Sequence, residues 1–152
     1  MAEFELHPQL AADSLPVTDL GLSSVRLIND RNFPWLLLVP RQPGKVDLTD
    51  LAPPDRFTLM EEIGLACDVL KALAPCDKLN VASLGNQVPQ LHVHVIARLK
   101  SDAAWPNPVW GAVAAVAYPP DEAQRLVGKL ASRLADKLAG KPATRPRAPA
   151  ER

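Results

Sequence analysis

The stretch of sequence that decides the fold is QLHVHVI, which runs from Gln90 to Ile96. Its polar and apolar residues alternate with the period of two that a β-strand gives to its side chains. In a strand, Gln90, His92 and His94 therefore share one face, and the apolar residues between them are buried on the other. Two of the three histidines in the chain stand on this polar face. We expect the polar face to meet solvent and to carry the chemistry of the protein.

A pair of histidines spaced in this way suits two kinds of chemistry. Two imidazoles ligate zinc or another transition metal when a third histidine or a carboxylate completes the set. Here no carboxylate stands between Asp77 and Asp102, and His7 is distant in sequence. Alternatively, a neutral imidazole attacks phosphorus while neighbouring donors hold the phosphoryl oxygens. The polar turn from Ser83 to Gln87 offers such donors, so the second chemistry is favoured, and we expect no metal and no cofactor.

Apolar periodicity predicts strands and helices on both sides of this stretch. Two antiparallel pairs of strands are expected, at Ser24–Asn29 with Trp35–Pro40 and at Lys78–Leu84 with Leu91–Leu99. A first helix follows Pro53 and Pro54, ends near Ala74 and should bury Phe57, Met60, Ile63, Cys67 and Leu70. A last helix is opened by Pro119 and Pro120 and should bury Ala123, Leu126, Val127, Leu130, Leu134 and Leu138.

Composition and charge exclude several classes of protein. The 152 residues fit a single domain, which we place at residues 1–140. The 17 basic and 17 acidic residues cancel, so the chain as a whole attracts neither nucleic acid nor an anionic membrane. No apolar run has the ~18 residues of a membrane span, and the first residues lack the features of a secretory signal. We expect a cytoplasmic protein with neither nucleic acid nor membrane as a partner, and with Cys67 and Cys76 reduced and buried.

The last residues of the chain differ in composition from the rest. Residues 141–152 contain four basic side chains, three prolines and no aliphatic side chain larger than alanine. Burial of such a segment cannot offset the entropy lost on ordering it. We therefore predict a disordered basic tail at residues 141–152.

The stretch QLHVHVI resembles the histidine triad (HIT) signature, in which three histidines alternate with apolar residues and two apolar positions follow. Gln90 stands in the place of the first histidine. The hairpin LIND…PWLLLVPR from Leu27 to Arg41, the segment LNVASLGNQVPQ and a downstream Trp-Pro pair also resemble the family. The resemblance extends over roughly residues 3–118 and is strongest to a bacterial branch described as diadenosine polyphosphate hydrolase-like.

This resemblance implies a fold, an activity and two catalytic roles. The fold would be α+β and HIT-like, with a twisted antiparallel sheet, one long helix packed on it, a C-terminal helix and a two-fold homodimer. The activity would be hydrolysis or nucleotidyl transfer at the α-phosphate through a nucleotidyl-histidine intermediate. His92 would be the nucleophile, with its other ring nitrogen held by a backbone carbonyl. His94 would stabilise charge beside the phosphate, and Gln90 completes the expected catalytic group.

The resemblance also implies contacts with a small nucleotide substrate. The ribose hydroxyls would be bound at the end of the first hairpin strand, and amide side chains would lie near the phosphate and the leaving group. The expected substrate-binding residues are Asn29, Asp30, Asn80, Asn86, Gln87 and Trp105. Trp35 stands where many members of the family have a histidine, so contacts on that side should differ.

Three functions remain open at this point. The first is a hydrolase or transferase that cleaves a phosphoanhydride or phosphoramidate bond, which the retained His92 and His94 favour. The second is a nucleotide-binding protein with little turnover, because Gln90 cannot ionise as histidine does. The third is a metal-dependent enzyme built on the two histidines, which lacks a third ligand. Dinucleoside polyphosphates, aminoacyl adenylates and nucleoside phosphoramidates share the nucleotide half, so the leaving group stays open.

Overall fold

One antiparallel sheet of five strands, in the order β1-β2-β3-β5-β4, organises the structure. The computed structural model describes residues 2–140, so the predicted tail lies outside the described residues. The strands are β1 (Ser14–Asp19), β2 (Ser23–Ile28), β3 (Trp35–Pro40), β4 (Lys78–Ala82) and β5 (Val93–Arg98). The helices are α1 (Pro8–Asp13), α2 (Pro53–Leu73) and α3 (Pro120–Gly140), with one 3₁₀ turn at Leu48–Asp50. The predicted α+β class is confirmed.

The predicted strands and helices agree with the structure in the middle of the chain and differ at its edges. The strand Trp35–Pro40 is confirmed, and the helix predicted from Pro53 ends one residue before Ala74. The strand predicted to begin at Lys78 is shorter, because residues 83–92 leave the sheet through a turn in which Gly85 has a φ of 75°. The first helix and first strand were not predicted. Pro16 interrupts the alternation of β1, which it can do because β1 is an edge strand.

Helix α2 buries a different face from the one that its apolar spacing predicted. Ile63 and Leu70 are buried as expected, but Phe57 is 76% exposed and Met60 is 64% exposed. Each step of three residues falls about 60° short of a full helical turn, so two successive steps rotate Phe57 well away from Ile63. The face that packs on the sheet consists of Leu59, Glu62, Ile63, Leu65, Ala66, Val69 and Leu70.

Helix α3 packs on α2 and on β1. Ala123, Leu130 and Leu134 are buried, as predicted for its apolar stripe. The two ends of the prediction are less accurate, because Leu126 and Val127 are only partly buried and Leu138 is 46% exposed. Cys67 and Cys76 are free thiols and are half-buried rather than fully buried.

Strands β3 and β5 are buried on both faces, which the sequence analysis did not predict. On one face, Leu36, Leu38, Val93 and Val95 join the core formed with α2. The opposite face is covered by two segments that are remote from each other in sequence. The N-terminal segment packs Leu10 on Leu37 and Val39, and the loop after β5 packs Ala104 and Val109 on Phe33, Trp35 and Ile96. The expectation of a solvent-facing polar surface is therefore wrong, since His92 and His94 are each 6% exposed.

A buried carboxylate connects α2 to the turn between β1 and β2. Glu62 is 6% exposed, and its two oxygens accept hydrogen bonds from the backbone N–H of Leu22 at 2.7 Å and of Ser23 at 3.0 Å. A buried backbone N–H without an acceptor costs free energy comparable to a lost hydrogen bond. Glu62 therefore fixes where the hairpin begins relative to the helix.

Replacing Glu62 with Gln should lower the free energy of unfolding by about 1–3 kcal/mol, because an NH₂ group then replaces one of the two acceptors. The matched control is Asp68→Asn on the same helix. That carboxylate is exposed and lies 3.9 Å from Lys137, so its replacement should cost less than about 1 kcal/mol. Urea denaturation of both variants measures the difference, and equal losses would show that the Glu62 hydrogen bonds add nothing.

Candidate active site

A cavity of about 670 Å³ lies between the sheet and the segments that cover its second face. His92 and His94 line it from β5 and the residue before it, and Trp35 and Leu37 line it from β3. The remaining walls come from α1, from the end of β2, from the turn at residues 84–88 and from the loop at residues 109–115. The cavity thus collects side chains from five separate parts of the chain around the two histidines.

The ring of His92 is held in one tautomer by the backbone. Its Nδ1 lies 2.6 Å from the carbonyl oxygen of Gln90. A carbonyl oxygen only accepts hydrogen bonds, so Nδ1 carries the proton and donates it. The other ring nitrogen, Nε2, is left with a lone pair. This is the arrangement that a nucleophilic imidazole needs.

The ring of His94 is held in the opposite tautomer by an indole. Trp35 Nε1 donates a hydrogen bond to His94 Nδ1 at 2.9 Å, and because an indole N–H is only a donor, Nδ1 carries no proton. The neutral ring therefore presents Nε2–H as a donor. Burial, with the charge of His92 as a smaller cause, lowers the pKa of His94 to about 3. His94 is thus neutral at physiological pH.

The two histidine rings stand in a compact aromatic cluster. The centroids of His92 and His94 are 5.0 Å apart, and the same distance separates His94 from Trp110. Trp35 packs edge-on against Trp110, with 5.8 Å between centroids. Trp110 lines the cavity but was not among the predicted site residues, because nothing periodic in its loop distinguishes it from its neighbours.

Gln90, which replaces the first histidine of the signature, does not line the cavity. Its carboxamide accepts a hydrogen bond from the backbone N–H of His7 at 2.9 Å and donates one to the carbonyl oxygen of Glu5 at 2.8 Å. Both bonds fasten the N-terminal segment that leads into α1. Because α1 supplies Gln9 and Asp13 to the cavity wall, the Gln90 side chain supports that wall.

Asn29 and Asp30 line the cavity and also hold one of its walls. Asn29 Oδ1 accepts from the backbone N–H of Tyr118 at 2.9 Å. Asp30 is 6% exposed, and its Oδ1 accepts from the backbone N–H groups of Asn32 and Val116 at 3.0 and 3.2 Å. Among the described residues, Oδ2 of Asp30 has no hydrogen-bond partner. One oxygen thus secures the loop, and the other is available to a ligand.

The turn before β5 forms a further wall of the cavity. Gly85, Asn86 and Gln87 all line it, and Asn86 and Gln87 are exposed. Within residues 2–140, neither of these two side chains makes a hydrogen bond. Their amide groups are therefore free to contact a bound molecule.

The structure places Asn80 and Trp105 outside the cavity lining, in a network around Arg98. Arg98 is 2% exposed and binds Asp102 through Nε at 2.8 Å and Nη2 at 3.1 Å. Its Nη1 donates to Asn80 Oδ1 at 2.8 Å, and its guanidinium carbon lies 5.7 Å from the centre of the Trp105 ring. Arg98 holds the pKa of Asp102 down at about 2. Asn80 and Trp105 thus contact Arg98, which stabilises the loop after β5. Local sequence spacing did not reveal this role.

In residues 2–140, no group of three His, Cys, Asp or Glu side chains is placed to hold a metal ion.

In the same region, no helix combines the length and apolar character needed to cross a membrane.

Comparison with known proteins relates this geometry to a family. The HIT domain matches residues 10–101. A histidine triad protein from Bradyrhizobium japonicum has a similar solved structure, with 47% identity, a TM-score of 0.85 and coverage of 88% of this chain and 99% of that one. A histidine triad protein from Sinorhizobium meliloti 1021 is 40% identical, with a TM-score of 0.83 and coverage of 86% and 96%. Another from Marinobacter aquaeolei VT8 is 38% identical, with a TM-score of 0.86 and coverage of 89% and 98%. No curated protein sequence matches the chain.

The chain belongs to the HIT domain family, since the matched region exceeds half its length and solved relatives share its whole fold. Members of this family bind small nucleotides, include hydrolases and transferases, and are often dimers. The predicted HIT-like fold is confirmed.

The hydrogen bond from Trp35 to His94 should be visible in the pH dependence of stability. Unfolded His94 binds a proton below pH 6.5, whereas folded His94 stays neutral down to a pH of about 3. The free energy of unfolding should therefore decrease as the pH is lowered from 6.5 to about 3, by up to ~1.4 kcal/mol per pH unit. In Trp35→Phe, Nδ1 is free to take a proton, so the pKa of His94 should rise and the fall should level off at a higher pH.

Nitrogen NMR of the His94 ring measures the tautomer and the pKa directly. The matched control is Trp105→Phe, which removes an indole N–H from a tryptophan that does not contact His94. If Trp35→Phe and Trp105→Phe leave the His94 titration equally unchanged, the indole does not set the tautomer.

Proposed function

We propose that this protein is a nucleotide hydrolase or nucleotidyl transferase that acts at the α-phosphate of a dinucleoside polyphosphate or nucleoside phosphoramidate-type substrate. The observation that carries the proposal is the pair of complementary tautomers. His92 offers an unprotonated Nε2, and the adjacent His94 offers a neutral N–H donor. A nucleophile and a donor to phosphoryl oxygen, side by side in a cavity, suit phosphoryl chemistry.

The proposed reaction proceeds in two steps. His92 Nε2 attacks the α-phosphorus, a P–N bond forms, and the bond to the leaving group breaks with the electron pair going to that group. The ring then carries positive charge, which the hydrogen bond from Nδ1 to the Gln90 carbonyl oxygen stabilises. In the second step water attacks phosphorus, the P–N bond breaks, and Nε2 regains its lone pair. A nucleoside monophosphate and a proton leave.

Other residues are given supporting roles in this proposal. His94 donates from Nε2 to a phosphoryl oxygen, where the negative charge grows in the transition state. Asp30 accepts from the ribose hydroxyls through Oδ2, with Asn29 beside it. Asn86 and Gln87 contact the phosphate or the leaving group. The resemblance also favours a homodimer and the diadenosine polyphosphate hydrolase-like branch, and the sequence pattern favours a cytoplasmic location.

The alternatives named from the sequence are weaker in this geometry. A nucleotide-binding protein without turnover was suggested because Gln90 cannot ionise. However, the Gln90 amide bonds to the N-terminal backbone and does not line the cavity, so a charge there is not part of this site. A metal-dependent enzyme needs a third ligand, which the described residues do not place beside His92 and His94.

Replacing His92 with Asn should reduce turnover by about a thousandfold or more, because an amide has no comparable lone pair. The wild type, mixed with a substrate that has an activated α-phosphate, should gain the mass of one nucleotidyl group, and His92→Asn should not. Because His92 is buried, the melting temperature of the His92→Asn protein must be measured together with its activity. The matched control is His7→Asn, in which asparagine preserves the cap of α1. A wild-type rate in a folded His92→Asn protein would disprove the assignment.

Replacing Gln90 with His should change kcat/KM by less than about threefold across pH 5–8, with no new ionisation in the profile. The reason is that the Gln90 side chain positions the N-terminal segment. Replacing Gln90 with Ala removes both hydrogen bonds and should raise KM more than it lowers kcat, because α1 then loses its attachment. A large gain in Gln90→His that grows at low pH would show instead that the site requires a positive charge there.

A further inference from the structure

The loop after β5 is fixed at its beginning by a buried ion pair. Arg98 is 2% exposed, and its Nε and Nη2 donate to the two oxygens of Asp102 at 2.8 and 3.1 Å. The same carboxylate accepts from the backbone N–H groups of Leu99, Ala104 and Trp105 at 3.1, 3.0 and 2.8 Å. Five hydrogen bonds thus converge on one side chain, and they determine the path of the chain as it leaves the strand.

A further bond from the same guanidinium extends this restraint along the loop. Nη2 of Arg98 also donates to the carbonyl oxygen of Asn107 at 2.9 Å. Two residues further on, Val109 is buried in the cluster that contains Trp35, with 3% of its surface exposed. Trp110 follows Val109 directly, so its backbone leaves from a fixed position.

The other side of Trp110 is held less directly. Residues 111–117 are all exposed, and their sequence, GAVAAVA, contains no polar side chain. The far end of the loop is attached by hydrogen bonds that join Ala114, Val116 and Tyr118 to residues 29–32. Trp110 therefore stands between two attachments. If the ion pair were lost, only the second attachment would remain, and it reaches Trp110 through small exposed residues.

Trp110 packs on the two rings whose hydrogen bond sets the tautomer of His94. Its ring centre lies 5.0 Å from that of His94 and 5.8 Å from that of Trp35, and it meets both rings nearly at right angles. Trp35 and His94 are themselves 5.6 Å apart and are joined by a hydrogen bond of 2.9 Å. In a closely packed cluster of this kind, no ring turns unless a neighbour moves. A displaced Trp110 would give the His94 ring room to rotate and would admit water beside it.

Stability alone does not account for an ion pair at this place. Taking a guanidinium and a carboxylate out of water is costly, and apolar residues of similar volume often stabilise a fold as well as a buried ion pair does. The pair instead contributes geometry, because two parallel hydrogen bonds hold the guanidinium and the carboxylate in one relative orientation. Neither Arg98 nor Asp102 lines the cavity, so the pair can affect a bound ligand only through other residues.

We propose that the Arg98–Asp102 ion pair is a positioning element for the reaction, which holds Trp110 against His94 and thereby keeps the Nε2–H of His94 directed at the phosphoryl oxygens. This role rests on the proposed function. Because the ion pair would act through Trp110, the two should affect turnover as one unit, whereas the effects of a purely structural ion pair and of Trp110 would be independent.

A double-mutant cycle in the full chain tests this role. Asp102→Asn keeps the size of the side chain but removes its charge and one acceptor oxygen. It should lower kcat about ten- to a hundredfold, because the phosphoryl donor is misplaced. Its KM should change by less than about threefold, because the loss falls on the transition state. In a Trp110→Ala background, the same substitution should change kcat by less than about twofold.

The assays use diadenosine tetraphosphate and adenosine 5′-phosphoramidate, and the variants are compared on each substrate that the wild type cleaves. Nitrogen NMR of the His94 ring supplies a readout that does not depend on turnover. In the wild type, Nδ1 should be unprotonated, since it accepts from Trp35. In Asp102→Asn and in Trp110→Ala, the released ring should exchange between its two neutral tautomers, so that part of the population has its proton on Nδ1.

Two further variants make the cycle decisive. Glu62→Gln alters a buried carboxylate of α2, on the opposite face of the sheet, and should leave kcat and the His94 spectrum unchanged although it lowers stability. Arg98→Lys keeps the positive charge but cannot form the two parallel bonds to Asp102. It replaces Asp102→Asn in the cycle if that variant does not fold.

The outcomes separate this role from the function on which it rests. The role is overturned if the folded ion-pair variant keeps the wild-type kcat, if its His94 spectrum is that of the wild type, or if its loss of kcat persists in full in the Trp110→Ala background. If the wild type neither cleaves a substrate nor forms the adduct on His92, the proposed function fails, and the His94 spectra still show whether the ion pair positions the ring. A loss of kcat that disappears when Trp110 is absent supports both.

Discussion

The structure depends on the burial of the central strands β3 and β5 on both faces. A sheet covered on one face by a long helix needs a second cover when its other face is also rich in Leu, Val and Ile, because exposing that face would forgo the hydrophobic stabilisation of its burial. Here the second cover is assembled from the N-terminal segment and the loop after β5. The cavity is the space that these two segments leave over the histidines.

Polar side chains hold this second cover in place, and several of them sit at the edge of the site. Gln90 fastens the N-terminal segment, Asp30 fastens the loop near Val116, and Arg98 with Asp102 fastens the beginning of the same loop. The hydrogen bonds of Gln90 and Asp30 join residues that are 83 and 86 positions apart in the sequence. The bond from Arg98 to Asp102 joins strand β5 to the loop that follows it. The walls of the cavity therefore depend on hydrogen bonds as well as on apolar packing.

Hydrogen bonds from neighbouring groups set the orientation of both histidine rings. A backbone carbonyl sets one ring and an indole sets the other, so the lone pair and the N–H donor are in place before a ligand arrives. No ionisation is needed to create them. This fits a lining that contains carboxylates but, within the described residues, no Lys or Arg.

The sequence by itself determined the strand that carries His94, the strand Trp35–Pro40 and the long helix, because each follows from local spacing, whereas the backbone carbonyl that holds His92 was implied by the resemblance to the family. Only the tertiary structure decided that His92 and His94 are buried, that Trp35 sets the ring of His94, and that Gln90, Asn80 and Trp105 stand outside the cavity lining. Those outcomes arise from segments that meet across 18 to 85 positions of the chain and carry no periodic signal. The exposed Phe57 and Met60 were misassigned for a different reason, because two successive steps of three residues turn Phe57 away from the helix face of Ile63. Local spacing records which side chains could share a face, whereas burial depends on which distant segment covers it.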